Sequence, residues 1–260
     1  MAAAPTRPRA AVRTTTDQTS RQPAHGSGGS GPPDPAGPSS SSARAGRHLR
    51  DNLATRCFHG ATVVVVGVLL GTGWWLRTGH EGRPSLLADV LAEPDTEIHR
   101  TAGWVLLGLA GVGVTLGVRG AWTFVRETLR VDRGDGRWFL RWPAGVLTRR
   151  LAPHRGHFDP GQRLLNLGIV GSLGTLIVTG IALTTLSGGS TFATMVRVHR
   201  GATYVLTVLV VGHLVVVSGI LPAYRGVWRA MVTGRVPRTT ARRLWPADVP
   251  EQDDEAPAAR

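Results

Sequence analysis

The side chains with chemistry to offer are histidines set in apolar surroundings. In HRGATYVLTVLVVGHLVVVSG (199–219), His199 and His213 are fourteen residues apart. Fourteen residues of α-helix turn through about 1400°, roughly 40° short of four full turns, so the two imidazoles share one face. At ~1.5 Å rise per residue they stand roughly 21 Å apart, most of the ~30 Å hydrocarbon core of a bilayer. His59 and His99, forty residues apart, border two other apolar stretches. Two imidazoles on opposite sides of one iron make a bis-histidine haem, and two such pairs at different depths suit two stacked b-type haems. Zinc normally takes four close ligands, and no third Cys, His or carboxylate accompanies either pair in the sequence. Any one of these histidines alone is equally well explained as an interfacial side chain bonded to backbone or headgroup; four at matched depths favour the haem reading.

The elements that must position them are the stretches 58–76, 101–118, 164–186 and 201–224, none of which contains Asp, Glu, Lys or Arg. Each has the length of a membrane-spanning helix. The whole-chain averages, 42% hydrophobic residues and a mean hydropathy of 0.00, hide this pattern. They do so because residues 1–47 are rich in Pro, Gly, Ser and Arg and lack large apolar side chains. Such a segment buries too little to offset its ordering entropy and reads as a disordered arm, with no apolar run of signal-peptide type. Of the 30 basic residues, all Arg, 25 lie before His59, between 119 and 163, or from Arg225 onward. The positive-inside rule then puts both termini and the middle loop in the cytoplasm. The net charge of +13 therefore needs no nucleic-acid partner, although the arm could touch anionic membrane lipid.

The expected fold is an all-α, four-transmembrane-helix bundle in the plasma membrane. It comprises the arm 1–47, a membrane domain 48–245 and a short acidic tail 246–260. His59 and His213 fall at the inner depth, His99 and His199 at the outer one, each pair drawn from two helices.

The forty- and fourteen-residue histidine spacings, FDPGQR (158–163) and AMVTGRV (230–236) resemble the cytochrome b (gamma) subunit of membrane-bound formate dehydrogenase over residues 48–245. That resemblance implies two haems b, the outer held by His99 and His199 and the inner by His59 and His213. It implies a quinone site beside the inner haem, involving Asp159, Gly161, Gln162 and His213. It also implies partner chains: an iron–sulfur subunit and a catalytic metal-pterin subunit, with no dehydrogenase active site on this chain. Cytochromes b of hydrogenases and other respiratory oxidoreductases share the plan. The family pattern Tyr-Asn-Ala-Gly-Gln-Lys reads Phe158-Asp159-Pro160-Gly161-Gln162-Arg163 here, and the usual His-Pro after the second motif is replaced by Trp245-Pro246.

Asp159 is also placed as a helix N-cap, with Pro160 at the first helical position. Arg100 and Arg200, each following an outer histidine, could neutralise haem propionates or anchor the interface. Gly67, Gly71, Gly103, Gly108, Gly111, Gly201 and Gly212 would serve close helix packing or leave room for a porphyrin edge. Trp74, Trp75 and Trp104 read as an outer aromatic belt, and Trp122, Trp138 and Trp142 as an inner one. Cys57 reads as a small filler, and His48, His80, His154 and His157 as surface residues, His157 standing nearest to Asp159. Two other function classes remain open: a stand-alone di-haem oxidase that reduces quinone, and a haem-free membrane anchor or sensor.

Overall fold

The structure, a computed structural model, describes residues 47–49, 52–79 and 83–245. The arm assigned to 1–47 lies outside these residues except for Arg47, and so do His80 and the tail 246–260.

Helix α1 (Leu53–Arg77) is started by Asn52, whose side chain accepts a 2.8 Å hydrogen bond from the Thr55 amide. The six-residue α2 (Leu86–Leu91) leads into α3 (Asp95–Leu116). Ser85, the cap of α2, is gripped by Asp95 through its amide at 2.9 Å and its hydroxyl at 2.5 Å. At Gly117 the chain bends by 98° into α4 (Val118–Thr128). A Cβ at Gly117 would lie 2.6 Å from the Gly113 carbonyl oxygen, so a larger residue does not fit the bend. The chain continues through α5 (Asp135–Thr148) to α6 (Pro160–Thr185) and α7 (Gly189–Val217).

Helices α1, α6 and α7 are each long and apolar enough to cross a membrane, and α3 with α4 passes as a fourth, bent span. At 22 residues, α3 alone extends about 33 Å, enough for the ~30 Å core. A short antiparallel ladder between β1 (Arg47–Leu49) and β2 (Arg235–Pro237) brings the two described chain ends together. Ends that meet require an even number of crossings, so α3 completes a four-helix bundle.

The fourth helix is displaced from the apolar stretch 201–224: it begins at Gly189 and stops at Val217. It starts early because the exposed Arg197 and Arg200 sit on helix that projects beyond the apolar zone, where a charge does not oppose helix formation. It stops early because Gly219 turns to a φ of 83° and Pro222 opens a 3-10 turn (Pro222–Tyr224). His199 consequently lies well inside α7, which begins at Gly189.

Close backbone packing runs within two helix pairs, α1 with α3 and α6 with α7, and is sparse between them. A slot therefore separates the pairs. The contiguous core lies at one end, where Val146 of α5, Tyr224, Val236, Leu244 and Trp245 pack together around α8 (Trp228–Thr233) and α9 (Arg238–Leu244). Arg56 of α1 donates to the Met231 carbonyl at 2.9 Å and to that of Val232, tying α1 to the end of α8. Trp138 belongs to this packed end, only 3% exposed, and is no belt residue; Trp122 of α4 is exposed as a belt requires. Cys57 is exposed, not a filler.

Arg163, 3% exposed on α6, gathers the loop before that helix. Its guanidinium donates to the carbonyls of Phe158 (3.0 Å), Arg130 (3.1 Å) and Arg155, and to Asp132 (3.2 Å) and Asp135 (3.3 Å). Arg163→Ala would strip partners from two carboxylates and three carbonyls at once. We expect it to destabilise the fold by about 3–5 kcal/mol, the cost of breaking a buried ion pair, read as a lowered thermal midpoint of the detergent-solubilised protein. An unchanged midpoint would show that the loop is held by something else.

Candidate functional site

The slot brings the four histidines together in two pairs. His99 of α3 faces His199 of α7, and His59 of α1 faces His213 of α7, the ring centroids 6.3 Å apart in each case. All four are half-buried. Two imidazoles bonded in line to one metal, with bonds of about 2 Å and roughly 1.1 Å from ring nitrogen to ring centre, would give ~6.2 Å. Both pairs thus have the separation that a single bis-imidazole iron requires. Among the described residues no group of three or more His, Cys, Asp and Glu could hold a metal ion, so neither pair offers a four-ligand zinc site.

The space beside the first pair suits a large flat apolar group. A cavity of about 520 Å³ is lined by His99, His199 and apolar residues from all four spanning helices. Its wall is thinned by glycine: a Cβ on Gly73 would come 3.3 Å from the His99 ring, one on Gly180 would come 3.7 Å from the His199 ring, and one on Gly103 would meet nothing within 4 Å. Leu106 and Leu206, both buried, also line it. Each lies seven residues, about two turns, beyond its histidine, and Leu206 is midway between His199 and His213, so Leu206 falls at the depth between the two levels. Arg100 and Arg200 line the cavity, as does Arg77, which sequence reasoning passed over. Arg77 donates to the Tyr204 hydroxyl at 3.1 Å and Arg100 pairs with Glu97.

The seven glycines proposed for close packing do not serve it, because a Cβ on any of them meets nothing within 4 Å. Gly103 and Gly212 line cavities instead. The glycines in tight contact are others, such as Gly113 against Phe58 and Gly168 against Leu209.

A second cavity, of about 550 Å³, lies between α5, the start of α6 and the end of α7. His213, Asp159, Gly161 and Gln162 all line it, so the structure joins the four residues named for one site. Asp159 is the N-cap of α6, its carboxylate accepting a 2.8 Å hydrogen bond from the Gln162 amide. Gly161 serves packing: a Cβ there would lie 2.9 Å from the Trp138 ring. Trp142 donates to the Tyr224 hydroxyl at 3.1 Å in the same wall. Two residues that line the cavity each carry a buried N–H donor, Trp138 Nε1 and Asn166 Nδ2, with no hydrogen-bond partner among the described residues. Asn166 was not singled out in the sequence, where a lone Asn in a span carries no pattern, and Trp138 was read there as belt.

Burial pushes the Asp159 carboxyl above the ordinary carboxylate range. The Gln162 and Gly161 amides and the charges of His154 and Arg163 oppose that rise without cancelling it. His154 therefore acts on the cavity wall electrostatically and is not a mere surface residue. His157 contacts the Phe158 ring at 5.0 Å and donates its amide to Glu127 at 3.0 Å.

Residues 50–234 match the family model described as prokaryotic cytochrome b561. No curated protein matches the chain.

The buried carboxyl has a consequence that needs no cofactor. Asp159→Asn keeps an equally good cap and removes the titration. From the unfolded value of about 3.9 upward, the unfolded chain releases a proton that the native chain keeps, so the parent loses stability as pH rises through that window. The variant should gain on the parent in thermal midpoint as pH is raised from about 4. A difference independent of pH would overturn the buried-acid assignment.

Proposed function

The chain belongs to the prokaryotic cytochrome b561 family, a group of membrane haem b electron-transfer proteins, and on that premise we propose that it is the membrane-anchoring di-haem subunit of a respiratory formate dehydrogenase. The observation that carries the haem count is the pair of 6.3 Å histidine separations at two depths of one slot.

His99 and His199 would hold the outer haem, His59 and His213 the inner one. Bound there, haem b supplies single-electron carriage between the two levels. The exposed guanidinium groups of Arg77, Arg100 and Arg200 would meet propionates at the mouth of the upper cavity. Leu106 and Leu206 keep water from the space between levels. The second cavity, beside His213, is the quinone site in this reading. Asp159, Gln162 and Asn166 line it, polar side chains of the kind that can meet the two carbonyl oxygens of a quinone. Asp159, whose raised pKa favours the protonated form, can place a proton at a reduced oxygen.

The chemistry balances across two chains. Formate oxidised on the metal-pterin partner yields carbon dioxide, one proton and two electrons; quinone takes up two electrons and two protons. An iron–sulfur partner would deliver the electrons at the outer level. The arginine distribution favours both termini and the quinone site on the cytoplasmic side, so electrons move inward while protons are released outside and consumed inside.

A pyridine haemochromogen assay on the purified protein should give two haems b per chain. In membranes fed formate, His213→Ala should keep reduction at the outer level and lose quinone turnover, whereas His99→Ala should block arrival from the donor and leave the inner level reducible by quinol. Full quinone turnover in His213→Ala would overturn the inner assignment. Reduction by hydrogen and not by formate would transfer the chain to a hydrogenase, which shares this plan.

A further inference from the structure

Each outer histidine has a hydroxyl beside its Nδ1. Thr72 of α1, 3% exposed, has Oγ1 2.9 Å from His99 Nδ1. Thr179 of α6, 4% exposed, has Oγ1 2.8 Å from His199 Nδ1. Neither threonine differs in sequence from the many other threonines of the spans, and only the packing of the helix pairs reveals them.

The direction of both bonds follows from the proton count. A hydroxyl carries one hydrogen. Thr72 Oγ1 donates it to the Val68 carbonyl at 2.8 Å, and Thr179 Oγ1 donates it to the Thr175 carbonyl at 2.7 Å, the usual four-residue back-bond of a helical threonine. The oxygens can then only accept, so the imidazole Nδ1 must be the protonated nitrogen in each ring. A neutral imidazole protonated at Nδ1 carries its free lone pair on Nε2.

The arrangement repeats on both sides of the slot. Thr72 reaches across the α1/α3 pair and Thr179 across the α6/α7 pair, so each ligand is oriented by the helix that packs against its own. We propose that Thr72 and Thr179 are positioning residues that lock the outer histidines in the Nε2-coordinating tautomer and strengthen them as donors. A ligating histidine whose other nitrogen is hydrogen-bonded is held in orientation and made more basic. A more basic ligand favours the oxidised iron, so these two threonines depress the outer haem's potential relative to an unassisted pair. This inference rests on the reading that His99 and His199 are haem ligands.

The test uses the full-length protein and its spectroscopic redox titration. Thr72→Val and Thr179→Val preserve shape and remove the acceptor, while Thr72→Ser and Thr179→Ser retain it. With both haems bound, the Val variants should raise the outer haem's midpoint potential and leave the inner one in place, and the Ser variants should titrate as the parent does. Val variants holding two haems at parental potentials would overturn the proposal. If a Val variant loses the outer haem, retention in its Ser counterpart supports the role of the hydroxyl, and loss in both refutes it. A parent that keeps both haems after His99→Ala fails the ligand reading itself, which separates that failure from failure of the threonine role.

Discussion

Everything in this molecule depends on holding two helix pairs apart by the width that facing imidazoles need. Helices that pack directly approach to about 8–10 Å between axes and fill the gap with side chains. Here that approach is made within each pair and withheld between pairs, where the histidines face each other at 6.3 Å. A slot of this kind cannot be stabilised by its own walls. The spanning helices keep almost none of their apolar residues buried within the chain, so lipid on the outside and a bound group on the inside must cover them.

The structure answers that weakness at one end. Residues from α5, α7's following turn, α8 and α9 form the contiguous core, and the β1–β2 ladder and the Arg56 bonds to α8 fasten the start of α1 to it. Arg163 gathers the loop before α6 into the same end. Asp159 and Arg163, one helical turn apart, show how differently a buried charge can be treated. The arginine is given partners for nearly every N–H, as a buried cation must be. The aspartate is given two backbone amides and left against a cavity, and its burial shows as a raised pKa.

The sequence made the spans and the histidine pairing legible, because hydrocarbon excludes charge over a fixed length and helical phase carries depth. It could not show where α7 ends. The apolar run continues past Val217, but Gly219 and Pro222 override hydropathy with backbone geometry. The beginning of α7 was hidden for the opposite reason, since arginines mark the end of the apolar zone and not the end of the helix. Asp159 as cap and Pro160 as first residue were legible because capping is local chemistry. Trp138, Asn166, Arg77 and the two threonines were not, because each has its role through a residue far away in the chain.

The two levels of the slot are built differently, and the difference has a direction. The upper level has its imidazoles bonded to threonines, and arginines and buried leucines line its cavity. The lower level has His213 standing in the wall of a second cavity that Gln162, Asn166 and a buried acid, Asp159, also line. A level whose imidazoles are held by hydroxyls and whose walls are mostly apolar suits a fixed electron carrier. A level open to a cavity with hydrogen-bond donors and a proton source can meet a diffusing acceptor that must be protonated. In the proposed reading, coupling the first to the second would confine proton uptake to one end of the bundle, which is what an electron path across a membrane needs if it is to separate charge.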